Sequence, residues 1–235
     1  MKSFRQYLVP SSPEEAVELK EAIGSKAIYL AGGTSVVPFA RESVEVVIDI
    51  TRCGLDGISS DEDSIRLGAA VRISELLREP IMSSVPLLYE TARRCATPQV
   101  RNMATVGGNV AVSYLPADIA LSLLALDAQV EVFSGSYQSF TFDELLERGF
   151  LRDGELVTSI CLPKIGECKG CAFLKFGRSE IDIGIVCVSL CITLSEGRVE
   201  RLRIAIGQTS SMPVLVRVAA EEAVGKTLDL SLIHI

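Results

Sequence analysis

Two stretches decide how this chain is read: Ala31-Gly32-Gly33-Thr34-Ser35 and Thr105-Val106-Gly107-Gly108-Asn109. The first runs directly out of an apolar segment, Ala27-Ile28-Tyr29-Leu30-Ala31, that reads as a buried strand. Consecutive glycines after a strand let backbone N–H groups converge, because no Cβ blocks a positive φ or the close approach of a ligand. Such a nest holds phosphate oxygens without needing a lysine. Thr34 and Ser35 add hydroxyl donors to the first loop, and Thr105 and Asn109 add a hydroxyl and an amide to the second. A single glycine pair is most often a plain turn, but two such loops suit the two phosphates of a diphosphate. Neither G-x-G-x-x-G nor a P-loop occurs, so a dinucleotide-type ligand would sit in a less common cradle.

Outward from these loops, Ser12-Pro13-Glu14-Glu15 predicts a helix over 13–23, with Ser12 as N-cap, Pro13 at N1, Glu15 completing a capping box and Gly24 as the stop. Strands are expected at 44–50 and 65–71, helical patterns at 73–77 and 86–95, and a turn-rich segment at 97–109. Pro116-Ala117-Asp118 opens an apolar helix ending near Ala125, and short alternating strands follow at 129–133, 137–140 and 156–162. After Pro163 the texture changes to three strands at 171–176, 183–195 and 198–206, as in a separate sheet-rich unit. The division expected is 1–165 and 170–235.

Composition removes whole classes. The 235 residues carry 23 basic and 30 acidic side chains, a net charge of −7 that argues against nucleic-acid binding. A hydrophobic share of 48% excludes disorder. The longest charge-free apolar run, 183–194, is far shorter than the roughly 20 residues needed to cross a bilayer. With no export signal and seven cysteines, mostly free thiols in a cytoplasmic protein are expected. The one histidine, His234, is nearly terminal, so nucleophilic triads and most zinc sites lack their usual residue, and no catalytic side chain or metal ligand is assigned. Any chemistry should come from a bound cofactor.

Taken in order, Ala31–Ser35, Thr97-Pro98-Gln99-Val100-Arg101-Asn102, Ala104–Asn109, Pro116-Ala117-Asp118 and Phe173-Leu174-Lys175-Phe176-Gly177-Arg178 closely resemble the FAD-binding medium subunit of the molybdenum hydroxylases, the family of xanthine and carbon monoxide dehydrogenases. The resemblance implies an α+β, vanillyl-alcohol-oxidase (PCMH) type FAD-binding fold of two subdomains, followed by a smaller C-terminal α+β domain. It implies noncovalent FAD held by Leu30, Ala31, Gly32, Gly33, Thr34, Ser35 and Val36 and by Ala104, Thr105, Gly107, Gly108 and Asn109. Asp118 would contact the adenosine portion, Val157 would pack near the nucleotide, and Lys175 would lie close to the flavin end. It further implies a large molybdopterin subunit and a small [2Fe–2S] subunit as partners, with electrons leaving this chain for NAD or another acceptor.

The residues by themselves leave other readings open. Asp118 is equally a first-turn carboxylate complementing a helix dipole, and Lys175 a solvated lysine on an edge strand. Arg101 could steady the second loop or pair with an acid. Cys168-x-x-Cys171 has ligand-like spacing, but iron–sulfur clusters usually need four thiolates, so buried inert thiols are the better account. A stand-alone flavin oxidoreductase of the same fold, or an accessory subunit that binds flavin weakly, are the alternatives in function. The tail from Leu228 to Ile235 lacks the closing elements the resemblance leads one to expect, which reads as truncation.

Overall fold

The computed structural model describes residues 4–112, 117–163, 170–179, 181–209 and 212–228, so Pro116, Cys168 and His234 fall outside the described residues. The chain opens with a small parallel sheet of β1 (Gln6–Leu8), β2 (Ala27–Leu30) and β3 (Val46–Asp49), in the order β1-β3-β2. Helix α1 (Pro13–Ile23) forms the crossover from β1 to β2. Its N-cap is as expected: Ser12 Oγ accepts from Glu15 N at 3.2 Å, and Gly24 ends it at φ +70°. The reciprocal arm of the capping box is displaced by one residue, because the Glu15 carboxylate accepts from Ser11 N at 2.7 Å and Ser11 Oγ at 2.8 Å. Buried Lys20 then ties the helix end to the strand and the next sheet, donating to Gly24 O at 3.1 Å and Ala27 O at 2.9 Å and pairing with Asp153 at 2.7 Å.

A second, antiparallel sheet holds β4 (Ile58–Ser60), β5 (Ser64–Gly68), β6 (Gln129–Phe133), β7 (Tyr137–Thr141) and β8 (Leu156–Pro163) in the order β4-β5-β8-β6-β7. Between these strands run α2 (Val36–Phe39), α3 (Pro86–Arg94), α4 (Pro98–Arg101), α5 (Val106–Ala111), α6 (Asp118–Ala125) and α7 (Phe142–Glu147). The third sheet, order β12-β11-β10-β9, contains β9 (Gly170–Phe176), β10 (Val186–Ser195), β11 (Arg198–Gly207) and β12 (Val214–Leu215), with α8 (Arg217–Ala223) after it. Every residue of α6 is buried. Its apolar side chains join one core with Ile65, Leu67, Val130 and Ile160 of the second sheet and Phe173, Cys187 and Ala205 of the third. Such a helix has no solvent face, and apart from Asp118 and Ser122 its sequence is apolar all round.

Three departures from expectation have clear causes. Residues 97–109 are not mainly turns: Thr97 and Thr105 each cap a short helix, accepting from Val100 N at 3.4 Å and Gly108 N at 3.1 Å. The strand expected over 65–71 stops at Gly68, where a Cβ would lie 2.2 Å from Leu55 O, so the chain is leaving the ladder against another backbone. Helix α7 and its complete capping box, Thr141 with Glu144, went unread although the Thr-x-x-Glu pattern is present. Among the thiols, Cys53, Cys95, Cys161, Cys171 and Cys187 are free and Cys191 is disulfide-bonded. No helix among the described residues is long and apolar enough to cross a membrane.

Gly107 also approaches a neighbouring strand end closely: a Cβ there would sit 2.4 Å from Ala69 Cβ and 2.8 Å from Ala69 Cα and O. Gly107→Ala is expected to destabilise the chain by about 1–3 kcal/mol, since backbone must move to admit the methyl group. Gly57→Ala, with nothing within 4 Å of its Cβ, should stay within about 0.5 kcal/mol. Urea unfolding of the two variants checks the contrast, with the midpoint moving and the slope unchanged.

Candidate functional site

The two glycine stretches come together. Beyond β2 the chain turns at Gly33 (φ +71°), and Gly33 O accepts from Val37 N at 3.0 Å to start α2. Gly32 is pressed on the second stretch so closely that a Cβ would lie 1.8 Å from Met103 O and 3.0 Å from Ala104 Cα. Residues Leu30, Ala31, Gly32, Gly33, Thr34, Ser35 and Val36 are all half-buried, as is Ala104. Among the described residues, the backbone N–H groups of Gly32, Gly33, Thr34 and Ser35 donate to no protein acceptor, and the two hydroxyls make no hydrogen bond. This row of donors is free for a ligand.

The second stretch differs, and the expectation of two equivalent nests is corrected. Val106 N donates to Val71 O at 2.8 Å, Gly107 N to Ala69 O at 2.9 Å, Gly108 N to Thr105 Oγ1 at 3.1 Å and Asn109 N to Thr105 O at 2.9 Å. Its amides are already committed to protein acceptors. The Asn109 side chain is engaged too, its Oδ1 accepting from Ala120 N at 3.0 Å in the first turn of α6. Met103 and Ala104 thus form the floor under Gly32, Thr105 caps the helix that follows them, and Asn109 fixes the start of α6. Arg101 steadies the approach to this floor by donating to Cys95 O at 2.9 Å and Ala96 O at 2.7 Å, around an Ala96 held at φ +48°. Val157 is a buried core residue of β8 in one apolar cluster with Val106 and Val110, and beside it Thr158 O accepts from Ala69 N at 2.9 Å while Ala69 O accepts from Gly107 N.

At the first position of α6, Asp118 is 3% exposed and surrounded by three groups from the third sheet. Lys175 Nζ on β9 lies 3.2 Å from Oδ2, Gln208 Nε2 donates to Oδ1 at 3.1 Å, and the Cys187 thiol lies 3.7 Å from Oδ1 and 3.6 Å from Gln208 Oε1. Lys175 also donates to Arg94 O, the last residue of α3, at 3.2 Å. The ammonium therefore bridges a helix C-terminus and a carboxylate at a helix N-terminus, each favourable to the local dipole. Burial raises the Asp118 carboxyl above its ordinary value, and the Lys175 charge and the hydrogen bonds oppose that rise. Burial also pushes the Cys187 and Cys95 thiols up to about 12, so both stay protonated at neutral pH.

The ion pair bears on two of the expectations. Lys175 is not a solvated edge-strand lysine, its side chain being 6% exposed. Asp118 and Lys175, expected at the adenosine and flavin ends of the cofactor, are here each other's charge partners at 3.2 Å. Gln208 was missed because a polar residue after a strand gives no periodic signal. Cys187 did carry one, since it alternates with Ser189 on one face of β10.

Comparison with known proteins now bears on the same residues. The family described as the FAD binding domain in molybdopterin dehydrogenase matches residues 2–165, and the CO dehydrogenase flavoprotein C-terminal domain matches 171–234. This chain belongs to the FAD-binding subunit family of the molybdopterin dehydrogenases. It is 32% identical over 233 residues to the 6-hydroxypseudooxynicotine dehydrogenase complex subunit alpha of Paenarthrobacter nicotinovorans, covering 95% of this chain and 79% of the relative. With the xanthine dehydrogenase FAD-binding subunit of Escherichia coli O157:H7 it shares 30% over 243 residues, 98% and 82% of the two chains. The solved carbon monoxide dehydrogenase of Hydrogenophaga pseudoflava superposes with a TM-score of 0.91 at 28% identity, covering 99% of this chain and 84% of that one. The α+β architecture is thus that of a flavoprotein subunit in an oxidoreductase complex, and its cofactor is FAD.

Removing the ammonium should expose what the ion pair does. Lys175→Met is expected to raise the Asp118 carboxyl further, since the group that opposes its desolvation is gone. A carboxyl raised above its unfolded value costs nothing where it is protonated in both states, weakens the fold progressively as pH rises from the unfolded to the folded-state value, and costs its full amount above the latter. The variant should therefore lose about 3–5 kcal/mol at pH well above that value and progressively less as pH falls toward acid. Urea unfolding across that pH range checks the sign.

Proposed function

We propose that this chain is the electron-transfer subunit of a molybdenum hydroxylase: a large subunit oxidises the organic substrate at a molybdopterin centre, [2Fe–2S] clusters of a small subunit relay the electrons, and the FAD of this chain delivers them, with NAD⁺ as the acceptor. The observation that carries the reading is the free row of N–H groups from Gly32 to Ser35, packed on Met103 and Ala104. Four amide donors and the Thr34 and Ser35 hydroxyls suit the oxygens of a diphosphate. At a net charge of −7, a backbone grip is also the one that needs no basic surface to hold an anion.

In this reading Leu30 to Val36 wrap the diphosphate. Ala104, Thr105, Gly107, Gly108 and Asn109 form the floor on which that loop rests, and Asp118 and Lys175 together face one part of the cofactor. Val157 supports the floor from the core of β8. FAD supplies the ability to take up electrons one at a time and to release two of them as a hydride. The ammonium of Lys175, held in a buried site, favours negative charge nearby. No histidine lies among these residues, so the cofactor is held noncovalently.

The full chain incubated with FAD should become yellow, and acid precipitation should release all of the flavin into the supernatant. Flavin remaining in the pellet would contradict noncovalent binding, and a chain that takes up no FAD would overturn the whole reading. Gly32→Ala, which drives a methyl group into Met103 O, should weaken FAD binding by roughly tenfold or more, about 1.4 kcal/mol, as read by equilibrium titration. Reduction of the bound flavin by NADH tests the acceptor separately. Isolation from its native cells should bring down a molybdopterin subunit and an iron–sulfur subunit.

A further inference from the structure

We infer that Gln208 is a positioning residue: by holding Asp118 from the third sheet, it fixes the direction in which Lys175 presents its ammonium to the cofactor. The inference rests on the FAD reading above and extends it to a residue outside the two loops and the ion pair.

The first observation is the backbone at Gln208. It follows β11 at φ +72°, in the left-handed region where glycine or asparagine is at ease and a long side chain is strained. A glutamine held there needs a compensating role for its side chain. The second observation supplies it. Both atoms of the amide are engaged, Nε2 donating to Asp118 Oδ1 at 3.1 Å and Oε1 lying 3.6 Å from the Cys187 thiol.

The third observation is how closely the surroundings fit this amide. A Cβ on Gly184 would lie 2.7 Å from Gln208 Oε1, 2.6 Å from Cys187 Sγ and 3.2 Å from Lys175 Cγ. A side chain at this point would displace the amide, the thiol or the lysine stem from the positions they hold. On the other side, a Cβ on Gly207 would meet Leu121 at 3.2 Å, so the end of β11 is seated against α6. Strand, glycine passage and helix confine the glutamine to one orientation.

The consequence for Asp118 is geometric. Its Oδ2 faces Lys175 and its Oδ1 faces Gln208, so the two contacts together set the plane of the carboxylate. Without the amide the carboxylate is free to turn about its last torsion. Lys175 then loses its fixed place between Asp118 and Arg94 O, and its charge is no longer held in one position at the cofactor.

The test uses the full chain loaded with FAD and two substitutions. Gln208→Leu removes the amide and keeps the strained backbone. Gln208→Gly removes the same amide and relieves the backbone, so it should melt no lower than Gln208→Leu. Both should lower the two-electron midpoint potential of the flavin by roughly 15–30 mV, about a threefold to tenfold change in equilibrium constant given 29.6 mV per tenfold. In a Lys175→Met background the same substitutions should produce no further shift, because Gln208 acts through that lysine. An unchanged potential in both single variants would overturn the inference, as would an equal shift in the Lys175→Met background. Failure of the parent chain to take up FAD would overturn the FAD reading and this inference with it, and is distinguished by being visible before any substitution is made.

Discussion

The arrangement turns on the buried contact between Asp118 and Lys175, which holds helix α6 to the third sheet. Taking two charges out of water is costly, and their mutual attraction offsets that cost only when the remaining donors and acceptors are also matched. Here they are matched. The carboxylate has Gln208 and Cys187 on its second oxygen, and the ammonium has the carbonyl that ends α3. Two further polar contacts repeat the attachment along the helix. Ser122 Oγ is 2.7 Å from Thr91 Oγ1 and 2.9 Å from Ser189 Oγ, and Arg203 donates to Leu124 O at 2.9 Å. An apolar helix buried all round could slide or rotate at little cost. These three contacts at its start, middle and end define its place.

The same contacts specify the register of the third sheet. Lys175 is paired with Cys187 on β10, and Cys187 with Gly207 on β11, so one cross-strand row carries the lysine, the thiol and the strand end that leads into Gln208. A slip of one residue would turn Lys175 to the opposite face and leave Asp118 buried without a counter-charge. The outward face has no comparable constraint: Leu174 and Phe176 there are 61% and 66% exposed. The polar row, rather than the aliphatic one, is the part of the sheet with a single acceptable alignment.

The glycine loops divide their labour. The second stretch uses its lack of side chains for backbone contact with Ala69 and its amides for protein acceptors, while the first keeps its amides available. From the sequence they looked alike, since both present a glycine pair beside hydroxyls. What separates them is where the donors go: Thr105 caps the helix from Val106 to Ala111 and takes the amides of Gly108 and Asn109, while Val71 and Ala69 take those of Val106 and Gly107. Arginines follow a similar logic. Arg101 serves the carbonyls of Cys95 and Ala96, a use that leaves no pattern in sequence because the partner is not a side chain, and Arg203 adds the Leu124 carbonyl to its ion pairs with Asp127 and Asp143.

Local chemistry was legible without any structure. The Ser12 cap with Pro13 and Gly24, the strands at 129–133 and 156–162, the apolar helix through Ala125 and the strand-to-glycine turn at Ala31 each depend on residues near one another in the chain. The ordered set of motifs further pointed to the flavoprotein family that the comparisons then showed. The short strands β1 and β4 were not legible, because three-residue strands have too few positions to display a period of two. What only the tertiary structure decided is which amides remain free and what surrounds Asp118, whose partners lie 57, 69 and 90 positions away. A sequence records which groups are able to bond and not which acceptors fall within 3 Å of them. That proximity is set by packing α6 between two sheets.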